Sequence, residues 1–175
     1  MSTSQGGPPD TGNVVAFQRP PVRQATTVRS AITHTFEVFV REIGTWWPLQ
    51  PFSFGTARIA QVTFEREAGG RVYETWEDGT ERDWGYVLDW QPPAGFTMTW
   101  NITGTPTEVE LRFRELGREL TRVEVEHRGW DALTEEQLSA ACALPDGYLG
   151  GAFHHGWAHI LSCFATAIHT TRNEG

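Results

Sequence analysis

From Ile59 to His127 the chain alternates apolar with polar residues, and turn-forming residues interrupt the alternation at short intervals. Trp84, Tyr86, Leu88 and Trp90 form one alternating set. Phe96, Met98, Trp100 and Ile102 form a second, and Val109, Leu111 and Phe113 a third. Successive side chains of a strand point to opposite faces, so a period of two predicts strands with one buried face. Gly69-Gly70, Asp78-Gly79, Pro92-Pro93 with Gly95, Gly104 to Pro106, and Gly117 separate the sets. Connections this short join antiparallel neighbours. The predicted strands include Ile59–Glu65, Arg71–Trp76 and Leu120–His127, with a first strand at Val22–Ser30.

The flanks have a different period. Ile32, Phe36, Phe39, Val40 and Ile43 make one helical stripe, with Ser30 placed to cap its start and Gly44 to end it. Trp46-Trp47-Pro48 follow in a short turn or helix. Near the C-terminus, Thr134-Glu135-Glu136 start a short helix that Pro145-Asp146-Gly147 break. Phe153, Trp157, Ile160, Leu161, Phe164 and Ile168 then share one face of a helix of roughly 20 residues. The expected architecture is α+β: a curved antiparallel sheet wrapped around a long C-terminal helix, with two short helices after the first strand. Strong curl keeps helix and sheet apart over part of their length and leaves a cavity. Residues 1–20, rich in Gly, Pro, Ser and Thr, are expected to be a disordered tail, and residues 21–172 a single domain.

Composition narrows the chemistry. The chain of 175 residues has 14 basic residues, all arginine, and a formal charge of −8. Without lysine there is no Schiff base to a carbonyl cofactor, no P-loop lysine and no kinase strand lysine. The acidic balance disfavours nucleic acid. The N-terminus has no signal-peptide pattern, no apolar run is long enough to span a membrane, and two cysteines fit a reducing compartment. The expected location is the cytoplasm. No cofactor is expected.

The order of these elements resembles the helix-grip, or START-like, superfamily. Within it the chain is similar to bacterial proteins whose domain is like the C-terminal part of the activator of heat-shock-protein-90 ATPase. The residues carrying the likeness are Trp46-Trp47-Pro48, Gly69-Gly70-Arg71, the run Glu77-Asp78-Gly79-Thr80-Glu81, Trp84-Gly85 with Val87, and Pro92-Pro93 with Thr99-Trp100. His127-Arg128-Gly129 and Gly156-Trp157 complete it. It covers about residues 22–170; the segment Asp131–Pro145 departs from it. The resemblance implies a fold and a habit of binding apolar or amphipathic small molecules. A few members catalyse cyclisation or hydrolysis. A chaperone partner and a homodimer are left open by it.

Eight tryptophans in 175 residues supply the candidate site. Flat rings bury much area, and an indole N–H can orient a polar ligand group. The expected lining is Trp46, Trp47, Trp76, Trp84, Tyr86, Met98, Trp100, Phe113, Phe153 and Trp157, around an apolar or aromatic small molecule. Trp84, Tyr86 and Trp90 are expected on one face. Glu74 alternates with Val72 and Trp76; facing inward it is the candidate general acid or base, unless Arg71, Arg82 or Arg112 pairs with it. His155 and His159 have the i, i+4 spacing of metal ligands, but no third ligand is evident and no metal is expected. His127 is read as structural. Cys142 and Cys163 are read as packing residues.

Overall fold

The computed structural model describes residues 19–140 and 151–173. Of the tail expected over residues 1–20, only Arg19 and Pro20 fall within these; Cys142 and the Pro145–Gly147 break lie outside them. The strands are β1 (Val22–Val28), β2 (Ile59–Phe64), β3 (Arg71–Trp76), β4 (Glu81–Gln91), β5 (Gly95–Trp100), β6 (Thr107–Gly117) and β7 (Leu120–Arg128). They form one antiparallel sheet in the order β1-β7-β6-β5-β4-β3-β2. After β1 come α1 (Ile32–Arg41) and α2 (Ile43–Trp46); after β7 come α3 (Glu135–Ala140) and the 22-residue α4 (Ala152–Asn173). The sheet curls around α4, as the period of two followed by a long stripe implied.

Packing follows the stripes. Trp157, Ile160, Leu161, Phe164 and Ile168 of α4 are buried against the concave face, while Phe153 is half-buried. Each such burial contributes about 1.5–3 kcal/mol relative to exposure. On α1, Phe36, Phe39 and Val40 are buried and Ile32 packs at their edge. The convex face carries charge: Arg128 bridges Glu108, Glu110 and Glu126, and Arg112 bonds Glu110.

The structure corrects several local expectations. Ala31, not Ser30, stands at the N-cap of α1, without a side-chain bond. Ser30 is buried, and its carbonyl accepts the Thr121 hydroxyl at 2.7 Å. The helix stops at Arg41, and Gly44 lies inside α2. The alternation of β5 ends at Trp100, with Ile102 in the following loop.

The largest correction concerns β4. Its register against β3 steps from Val72 opposite Gly85 to Tyr73 opposite Asp83, which leaves Trp84 as an extra residue. Against β5 it steps from Val87 opposite Met98 to Asp89 opposite Thr97, which leaves Leu88 extra. Each β-bulge moves the following residues to the other face. Trp84 is buried on the concave side, whereas Tyr86 is 44% exposed on the convex one. Trp84 and Tyr86 therefore do not share a face, and Tyr86 does not line the interior. Its hydroxyl bonds Asp83 at 3.1 Å.

Candidate functional site

Four tryptophans from four elements meet between the sheet and α4. Trp47 follows α2, Trp84 is on β4, Trp100 on β5 and Trp157 on α4. The ring of Trp47 lies 5.1 Å from Trp84, 5.7 Å from Trp100 and 5.8 Å from Trp157. Trp100 lies 5.4 Å from Trp157 and 6.1 Å from Trp84. Tilted contacts at these spacings are the favoured aromatic geometry. Met98 is buried on the same strand as Trp100. Trp46 lies 5.6 Å from Trp47 and, with Phe113, also joins a neighbouring cluster of Phe36, Phe39 and Phe164. Phe153 packs on Trp130 at 4.7 Å and on His127 at 5.7 Å.

Two polar groups anchor this wall. Glu74 faces inward and is fully buried, as its alternation with Val72 suggested. None of the three arginines considered for it is its partner. Its Oε1 accepts the Phe54 backbone N–H at 2.7 Å and the Trp84 indole N–H at 2.9 Å. Its Oε2 accepts the Gly55 backbone N–H at 2.7 Å and the Trp76 indole N–H at 2.8 Å. Four donors, two to each oxygen, match the acceptor capacity of a carboxylate. The loop holding Phe54 and Gly55 is shaped by Ser53, which donates to Leu49 O and accepts from Thr56 N. A Cβ at Gly55 would stand 2.8 Å from Glu74 Oε2 and closer still to the Trp76 indole nitrogen, so only glycine fits there.

His127 is the second anchor, also fully buried. The Trp157 indole N–H donates to its Nδ1 at 3.0 Å, which makes that nitrogen the acceptor. Nε2 therefore carries the proton and donates to Thr107 Oγ1 at 2.7 Å. Thr107 in turn donates to Trp100 O at 3.3 Å. The carbonyl of His127 accepts the Trp130 indole N–H at 2.8 Å. Burial lowers the imidazole pKa from 6.5 to about 3, so the ring is neutral.

In this arrangement neither Glu74 nor His127 keeps a bonding position open toward the interior. His155 and His159 are exposed on α4; His159 Nε2 stands 3.7 Å from Cys163 Sγ. Among the described residues no three His, Cys, Asp or Glu side chains are grouped to hold a metal ion. Phe52, Phe54, Thr107 and Trp130 were not anticipated. They come from loops or a strand end, where no periodicity flags them. Phe52 accepts the Trp47 indole N–H through its carbonyl at 2.8 Å. Its ring sits where a Cβ on Gly156 of α4 would meet it at 3.0 Å.

The family model for activator of Hsp90 ATPase homolog 1-like protein matches residues 32–168, from α1 to α4. The chain belongs to that family. The chain is also similar in structure to an anthrahydroquino-gamma-pyrone synthase, Txn09, with 31% identity and a TM-score of 0.54, over 85% of this chain and 97% of that one. CalC, a self-sacrificing resistance protein from Micromonospora echinospora, is 24% identical with a TM-score of 0.59, over 85% and 94% of the two chains. Protein NE0264 from Nitrosomonas europaea has a TM-score of 0.62 at 13% identity, over 88% and 97%. The last two likenesses concern the fold alone. No curated protein sequence matches the chain. Among the described residues no helix is long and apolar enough to cross a membrane.

Proposed function

We propose that this protein binds an apolar or aromatic small molecule between the curled sheet and α4. The observation that carries the reading is the wall of Trp47, Trp84, Trp100 and Trp157, drawn from four elements onto the concave face. Such a wall gives a flat ring large contact area, at about 25 cal/mol per Å² of apolar surface removed from water. Met98 and Phe153 extend it, and Trp76 lies at its outer end beside Glu74. Membership of the family and the likeness to a synthase named for a polycyclic product support a ligand of this class.

Native mass spectrometry of the freshly purified protein tests the reading, together with titration by the neutral fluorescent probe N-phenyl-naphthylamine. A co-purified molecule, or saturable probe binding weakened by Trp100→Ala, supports it. A bare mass with no saturable probe binding overturns it.

The 31% identity to the synthase favours a second reading, an enzyme of the cyclase kind acting on an aromatic substrate in the same place. Because Glu74 and His127 are already fully bonded, such catalysis would rest on holding the substrate in a reactive shape and excluding water. Recovery of a co-purified molecule unchanged after release and rebinding supports binding alone; a change in its mass on incubation supports catalysis.

A further inference from the structure

Arg58 and Arg82 differ from the ion-paired arginines of the sheet. Arg23, Arg71, Arg112, Arg114, Arg122 and Arg128 each form an ion pair with Asp or Glu. Arg58 and Arg82 are exposed and form no direct ion pair among the described residues. The Thr80 backbone N–H holds the Asp78 carboxyl below its usual range, and at longer range the Arg58 charge helps. Each instead lies over an aromatic ring. The Arg58 guanidinium carbon is 4.1 Å from the centre of the Trp76 ring, and that of Arg82 is 4.7 Å from the centre of Phe54. Stacking uses the flat face of a guanidinium and leaves its N–H edge available to an anionic oxygen. Arg58 donates its Nε to Gly55 O at 3.4 Å.

Both rings are tied to one node. Trp76 donates its indole N–H to Glu74, and Phe54 donates its backbone N–H to the same carboxylate. Arg82 is also the cross-strand partner of Glu74. The Glu74 oxygens are saturated by four N–H donors and pair with neither arginine. From this node Trp84 leads inward, bonded to Glu74 and 5.1 Å from Trp47. The Glu74 carboxylate thus joins the interior wall, through Trp84, to the two rings that carry the guanidiniums at the surface.

We infer that Arg58 and Arg82 form an anion subsite at the outer end of the interior, so that the ligand is an aromatic or apolar body bearing one carboxylate, phenolate or sulfonate. This rests on the ligand reading above. The subsite fixes which end of the ligand faces outward, a specificity role that the apolar wall alone does not supply.

The test is displacement of N-phenyl-naphthylamine by two matched competitors, naphthoate and neutral naphthalenemethanol. From the unaltered protein, naphthoate is expected to displace the probe at about tenfold lower concentration, the size expected of a charge-assisted bond. In the Arg58→Gln/Arg82→Gln double variant that preference is lost, while the neutral competitor and the probe itself are unchanged within about twofold. Both residues are on the surface, and an unchanged melting curve establishes that the variant is folded. Probe binding with equal displacement by both competitors overturns the anion subsite and leaves the ligand reading standing. A preference for naphthoate that survives in the double variant also overturns it. Failure of the probe to bind the unaltered protein overturns both.

Discussion

Glu74 and His127 occupy equivalent depths on the concave face, and each receives the indole N–H of tryptophans in or beside the same wall. Their chemistry differs. Glu74 accepts four N–H bonds, two from tryptophan rings and two from the backbone of one loop. It fastens the segment around Phe54 and Gly55 to β3. His127 is neutral and works in both directions, accepting from Trp157 and donating to Thr107. It fastens α4 to β6 and β7. The charged node therefore organises the loop beside the wall, and the neutral node organises the helix that closes it. Burying a charge is tolerable only with full hydrogen bonding, which the first node has; a neutral imidazole needs two partners, which the second has.

Substitution separates the two. Glu74→Leu strands four N–H groups, two of them buried and two part-buried, and is expected to destabilise by about 4 kcal/mol, read from the midpoint of chemical denaturation. That is a large part of the roughly 5–15 kcal/mol typical of a folded domain. A loss under about 1 kcal/mol would mean that the loop is held by other contacts.

Acid tests the second node. The unfolded imidazole binds a proton near pH 6.5, and the folded one only near pH 3. Between those values the unfolded chain binds more protons, so stability falls as pH falls, by about 1.4 kcal/mol per pH unit from this group. At pH 5 the loss is about 2 kcal/mol relative to neutral pH. His127→Gln is expected to flatten that slope while lowering stability at pH 7. A native protein whose denaturation midpoint is level from pH 7 to 5 would contradict the neutral, buried ring.

The smallest effects compare the same deletion at both nodes. Trp84→Phe removes one donor from a carboxylate and is expected to cost about 2 kcal/mol; Trp157→Phe removes a neutral bond and about 1 kcal/mol. Equal losses would erase the distinction between the nodes.

The sequence made much of this readable, for physical reasons. Period-two segments and the α4 stripe are set by which side chains leave water, so they appear directly as spacing. Glu74 was legible as inward because the register shifts on either side of β3 add their extra residue to β2 and β4, so Val72, Glu74 and Trp76 keep their alternation. Its partners were not, because two come from the backbone of an aperiodic loop and backbone N–H groups leave no compositional trace. The spacing offered Arg82 only as an ion-pair partner for Glu74 and did not single out Arg58, since stacking on a ring depends on where the loop lies. Tyr86 was misplaced because a β-bulge adds a residue without marking it in the residue types on either side.

The two bulges in β4 have a consequence for tolerance to mutation. With Trp84 and Leu88 as the extra residues, the interior-facing large residues of β4 are Trp84, Val87 and Trp90. Their spacing is three, the step of a helix, inside an extended strand. A map of polar replacements along β4 would therefore show sensitive sites every third residue. Removing one residue between Trp84 and Val87 would restore alternation over that step alone, because the second bulge at Leu88 would still separate Val87 from Trp90 by three.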